Sequence, residues 1–133
     1  MYPKELVEPM KEELNSVGVK DLLTKEDVDL AFNEPCFLLI VNSVCGCSGA
    51  SMRPAVIEAL EEQEVKSFSV FAGVDFEATE HARSKLEGFL PSSPSVFLVK
   101  DNEVVFALER SDISGRPYFE VKEDLLDALK QHS

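Results

Sequence analysis

Cys36-Phe37-Leu38-Leu39-Ile40-Val41 is apolar at every position and runs directly into Asn42-Ser43-Val44-Cys45-Gly46-Cys47. An apolar run with no alternation is what a central strand needs when both faces of an α/β sheet are covered. Beyond the loop, Met52, Ala55, Val56, Ala59 and Leu60 recur at helical spacing, and Glu58, Glu61 and Glu62 fall on the other side. Pro54 fits the first turn of that helix, where a missing N–H is tolerated, or else marks a kink. The cysteine pair therefore stands at the carboxyl end of a buried strand and just before a helix, where open α/β sheets keep their sites.

Working outward, Leu6, Met10, Leu14 and Val17 form one stripe of a helix over residues 3–17, interrupted or bent near Pro9. Thr24-Lys25-Glu26-Asp27 carries a short form of the capping signal, a hydroxyl followed three residues later by an acid, for a helix to about Phe32. Downstream, residues 66–72 read as a strand and 76–87 as a helix. Residues 95–100 and 103–108 read as a hairpin turning at Asp101-Asn102, and 119–130 as a closing helix. Helices and strands alternate as in an α/β layer fold, with no internal repeat, linker or low-complexity segment. The length of 133 residues suits a single domain, 1–133, with its own core.

The formal charge of -12, from 13 basic against 25 acidic side chains, repels phosphate backbones and anionic membranes, so neither nucleic acid nor a membrane is an expected partner. The start, Met1-Tyr2-Pro3-Lys4-Glu5, has no apolar core of an export signal, and the apolar run ending at Val41 is far short of a span. A cytoplasmic location is expected. Three cysteines in such a chain argue against a secreted-type disulfide framework and leave metal binding, redox chemistry or packing.

Position favours redox chemistry. Amides at a helix N-terminus point toward the position of the pair and favour negative charge there, and the thiolate is the form that attacks disulfides. Cα atoms two apart in an extended chain lie roughly 6 to 7 Å from one another, at the upper end of the range a disulfide accepts, so a Cys45–Cys47 bridge is tight. Gly46, lacking a Cβ, lets the chain curl enough to close the small ring, and a strained bridge is easily reduced. The small residues Ser48, Gly49, Ala50 and Ser51 are expected to leave the sulfurs unshielded.

Spacing alone also admits a partial metal site or two incidental loop thiols. A zinc site would need more ligands, and Cys36, His81 and His132 show no metal-binding spacing, so no metal is expected. Cys36 reads as a small core hydrophobe and His81 as a solvated side chain. Arg53 either supports a thiolate near the helix start or faces solvent. Pro91-Ser92-Ser93-Pro94-Ser95 stands before a strand, where a proline is either cis or part of an ordinary turn.

Val41-Asn42-Ser43-Val44-Cys45-Gly46-Cys47 followed by Arg53-Pro54 resembles the active-site segment of the bacilliredoxins. Leu6-Val7-Glu8-Pro9-Met10, Phe71-Ala72-Gly73-Val74-Asp75 with Glu77-Ala78-Thr79, and the Pro91–Ser95 segment extend the likeness over nearly the whole chain. The resemblance implies a bacterial thioredoxin-like domain, a central mixed β-sheet flanked by helices with an extra N-terminal helix. It implies removal of bacillithiol, a low-molecular-weight thiol co-substrate, from S-thiolated client proteins, with no bound cofactor. Cys45 would attack and Cys47 resolve, with Gly46 and Arg53 in support. Pro94 would be a cis-proline facing the pair, and the Ser93 backbone would meet the substrate. The chain departs from the pattern in the small residues after Cys47, in Ser111, where a histidine is expected, and in Ser133, where some relatives carry a cysteine. Two other readings stand beside this one: a general protein disulfide reductase or isomerase, and a non-catalytic redox-sensing or metal-binding module.

Overall fold

The structure is a computed structural model that describes residues 2–132. Ser133 lies outside the described residues. Five strands form one sheet in the order β1-β3-β2-β4-β5: β1 (Lys20–Asp21), β2 (Cys36–Asn42), β3 (Ser67–Phe71), β4 (Ser95–Lys100) and β5 (Glu103–Leu108). β1, β3 and β2 run parallel, β4 runs antiparallel to β2, and β5 antiparallel to β4, so the sheet is mixed. β2 is the middle strand, and Phe37 to Val41 are buried at every position.

Alternation along β2 splits the core in two. Leu38 and Ile40 join Leu14, Met52, Val56, Leu125 and Leu129 on the face covered by α1 (Lys4–Asn15), α3 (Arg53–Glu62) and α6 (Tyr118–His132). Phe37, Leu39 and Val41 join Val28, Ala78 and Ala82 on the face covered by α2 (Lys25–Ala31) and α4 (Phe76–Ser84). Burying each of the larger side chains contributes ~1.5–3 kcal/mol, which is why the unbroken apolar run from Phe37 to Val41 is stable only in the middle of three layers.

Local signals in the sequence explain most element ends. Thr24 and Asp27 close a full capping box, the Thr24 hydroxyl accepting from the Asp27 N–H at 3.1 Å while the Asp27 carboxylate accepts from the Thr24 N–H at 3.3 Å. Asp101 and Asn102 both take positive φ, 51° and 66°, as the tight turn of a twisted hairpin requires. The helix expected over 76–87 ends at Ser84, and that expected over 119–130 extends to Tyr118–His132. Pro9 lies inside α1 without interrupting it.

Two elements carry no readable pattern. β1 is a two-residue edge strand made of polar side chains, and α5 (Arg110–Ile113) is a single turn. Both are shorter than any periodicity that a sequence can display.

Candidate active site around Cys45 and Cys47

β2 ends at Asn42, and the chain turns into helix at Gly46. Helical backbone then continues without a break through a π-helical segment, Ser48–Met52, into α3. Cys45 thus occupies the N-cap position, from which a side chain meets the free N–H groups of the first turn. Pro54 falls in the first turn of α3, where it costs no hydrogen bond.

Both cysteines are free and half-buried, with Sγ atoms 2.8 Å apart. The Cys47 S–H donating to Cys45, then the Cys47 amide, hold the Cys45 thiol below its ordinary value. The charge of Arg110 and the Ser48 amide add to this, while burial works against it. Cys47 moves the other way: burial raises it first, then its hydrogen bond to Cys45 and the Cys45 charge, with Arg110 opposing. The pair is therefore asymmetric, one sulfur disposed to be a thiolate and its neighbour a thiol.

The loop is held from below. Ser43 Oγ lies 2.7 Å from Ser48 Oγ and 3.4 Å from the Cys45 N–H, which it accepts. Arg53 Nη1 donates to Asn42 Oδ1 at 2.9 Å and to the Ser43 carbonyl at 3.0 Å, and its Nε is 3.2 Å from Glu13 Oε1 on α1. Asn42 Nδ2 donates to the Met10 carbonyl at 3.3 Å, so α1 braces the loop twice. Arg53 is 4% exposed. It does not face solvent: it ties the backbone before the pair, and Arg110 is the cation whose charge lowers Cys45. Gly49 makes room for it, since a Cβ there would stand 3.0 Å from Arg53 Nη2.

The small residues after Cys47 divide in two. Gly49 and Ala50 are exposed, as an accessible pair needs. Ser48 and Ser51 point inward instead, Ser51 Oγ donating to the Arg116 carbonyl at 2.5 Å.

Above the pair lies an open cleft of ≈ 370 Å³ whose lining includes Ser43, Cys45, Gly73, Arg83, Ser93 and Arg110; Cys47 is not part of it. The Ser93-Pro94 peptide is cis. Arg110 Nη1 lies 3.5 Å from the Ser93 carbonyl and Arg83 Nη2 donates to the Ser92 carbonyl at 3.3 Å. Reading the sequence singled out Cys45, Cys47, Ser93 and Pro94 but neither of these arginines. They come from α4 and α5, and no spacing links them to the cysteines.

The remaining candidates sit elsewhere. Cys36 begins β2, at the far end of the strand from the pair, and packs half-buried against the α1–α3–α6 core. His81 Nε2 is 2.7 Å from Asp29 Oδ1 on the outer face of α4. Among the described residues no group of three or more His, Cys, Asp or Glu side chains is placed to hold a metal ion. No helix among them is long and apolar enough to cross a membrane.

A family model described as "Disulphide isomerase" matches residues 2–133. A curated bacilliredoxin of Salinibacter ruber is 42% identical, covering 98% of this chain and 81% of its own length. One from Bacillus licheniformis is 40% identical, covering 98% of this chain and 94% of the relative. Another from Staphylococcus aureus is 41% identical over 91% of this chain and 86% of the relative. Among solved structures, an oxidoreductase described as having a thioredoxin fold superposes with a TM-score of 0.62 at 13% identity, covering 80% of this chain and 93% of that one. Fasciola hepatica thioredoxin does so with a TM-score of 0.59 at 18% identity, covering 86% and 100%. Those structures speak to the fold, which is thioredoxin-like.

Proposed function

The chain belongs to the bacilliredoxin family, and we propose that its reaction is the removal of bacillithiol from mixed disulfides on cytoplasmic client proteins. It is a thiol-disulfide oxidoreductase. The observation that carries the finer reading is the asymmetric pair: Cys45 at the helix N-cap opens onto the cleft and is favoured as thiolate, while Cys47 stands 2.8 Å behind it.

The Cys45 thiolate attacks the bacillithiol sulfur of the client's mixed disulfide. The new bond joins Cys45 to bacillithiol, the bond to the client sulfur breaks, and the client leaves as a thiolate that takes a proton from water. Cys47, giving up its own proton, then attacks the Cys45 sulfur. Bacillithiol departs with the electron pair and a Cys45–Cys47 disulfide remains, which two further thiol equivalents return to the dithiol as they are themselves oxidised to a disulfide. Gly46 lets this three-residue ring close, Arg53 holds the loop in place, and the Ser93-Pro94 segment meets the bound client across the cleft.

The test is the intact mass of Cys47→Ser after mixing with a bacillithiol-modified protein and, in parallel, a glutathione-modified one. A bacillithiol adduct on Cys45 alone supports the proposal. Adducts from both favour a general disulfide reductase or isomerase, the reading that the description of the family model suggests. No adduct from either returns the chain to a non-catalytic module.

A further inference from the structure

The chain carries 25 acidic side chains against 13 basic ones. Of its four arginines, Arg53 faces Glu13, and Arg116 faces Glu120 and Asp124. Arg83 and Arg110 take part in no ion pair among the described residues, and both line the cleft that Cys45 opens onto. Each is steered by a single contact to consecutive carbonyls, Ser92 for Arg83 at 3.3 Å and Ser93 for Arg110 at 3.5 Å. A guanidinium carries five N–H donors in a planar fork, so both keep donors free for a ligand.

Two guanidiniums lining one small cleft repel one another, and burial already weighs against the charge of Arg83, with Glu80 opposing. An anion between them relieves both costs, and carboxylates suit the fork because they accept two parallel N–H bonds. The cleft, ≈ 370 Å³, is of small-molecule size.

We propose that Arg83 and Arg110 form a subsite beside Cys45 that grips the carboxylates of an anionic low-molecular-weight thiol while its sulfur meets Cys45. The inference rests on the proposed exchange reaction and adds what that site selects: thiols bearing carboxylates over neutral ones. An acidic segment of the client offers the same chemistry, but the dimensions of the cleft favour the small thiol.

The experiment measures dethiolation of one client protein carrying either mercaptosuccinate, with two carboxylates, or neutral 2-mercaptoethanol as a mixed disulfide. The ratio of the two rates is the readout, because changes in thiolate formation at Cys45 act on both substrates alike. We expect the wild type to favour mercaptosuccinate by about tenfold, the scale of one charge-assisted hydrogen bond. Arg83→Gln and Arg110→Gln should bring the ratio toward one, and Arg83→Lys should restore part of it. Lys85→Gln, whose ammonium faces Asp29 on the outer side of α4, should leave the ratio as it is.

A wild-type ratio near one, unchanged in the arginine variants, overturns the subsite while leaving the exchange reaction standing. Failure of the wild type on both disulfides overturns the exchange reading and the subsite with it. A second arm uses 2-mercaptoethanol on clients with acidic or neutral residues flanking the cysteine. If the arginine variants lose a preference there instead, the subsite reads the client and the assignment to the small thiol falls.

Discussion

The reactivity of Cys45 is set within one helical turn of its own sulfur. The first cause of its lowered pKa is the Cys47 S–H, followed by the Cys47 amide. Alkylation of Cys45 should therefore level off with rising pH below the value for a free cysteine, about 8.5. Cys47→Ala, which removes the donor, should move that midpoint upward. Cys47→Ser, whose hydroxyl still donates, should move it less, and Arg110→Gln should move it in the same direction as Cys47→Ala. Rates of iodoacetamide labelling followed by mass across pH would check all three. Cys45→Ser should abolish exchange. Cys36→Ala should leave exchange nearly intact, since β2 separates the two cysteines by most of a strand, about 20 Å at ~3.3 Å per residue.

Among the elements, the loop before the pair is held by a buried charged side chain rather than by regular structure. Arg53→Ala would leave the Ser43 carbonyl without its Arg53 donor and Asn42 Oδ1 with the Ser43 N–H alone. Leaving a buried acceptor unpaired costs ~1–3 kcal/mol. The expected result is a lower urea midpoint together with slower exchange, since the freed loop no longer fixes Cys45 over the helix. At α2 the Thr24–Asp27 box makes a separate prediction. Thr24→Ala should cost ~1 kcal/mol in chemical denaturation. The Leu23 amide first, and Thr24 after it, hold the Asp27 carboxyl below its ordinary value. A depressed carboxylate stabilises the fold above its unfolded pKa, near 3.9, and that contribution disappears as pH falls through the folded value. Asp27→Asn should accordingly flatten the acid limb of the stability curve.

Over the whole molecule, stability comes from two cores that share one strand. Ile40 is fully buried among α1, α3 and α6, and Leu39 is fully buried on the opposite face. Ile40→Ala and Leu39→Ala should each cost ~2–5 kcal/mol in urea unfolding. The two faces lie on opposite sides of the sheet, so the double variant should lose nearly the sum, and a large departure from additivity would show that the layers are coupled through the strand.

How much of this was legible in the sequence follows from the range of the forces involved. The apolar run at 36–41, the helical spacing after Cys47, the Asp101-Asn102 turn and the cap at Thr24 are local patterns, and each determined its element directly. The place of the cysteine pair was readable for the same reason: its position between a strand and a helix is a neighbour relation along the chain. Only the tertiary structure decided the surroundings of that sulfur. Arg53 turned inward because the end of β2 and the facing side of α1 offered it oxygens. Arg83 and Arg110, 27 residues apart, met at the cleft because the sheet order β3-β2-β4-β5 folds α4 and α5 toward the same end of β2. Hydrogen bonds and ion pairs between distant segments leave no period in the sequence, so the arginines around this sulfur became visible only once the chain was folded.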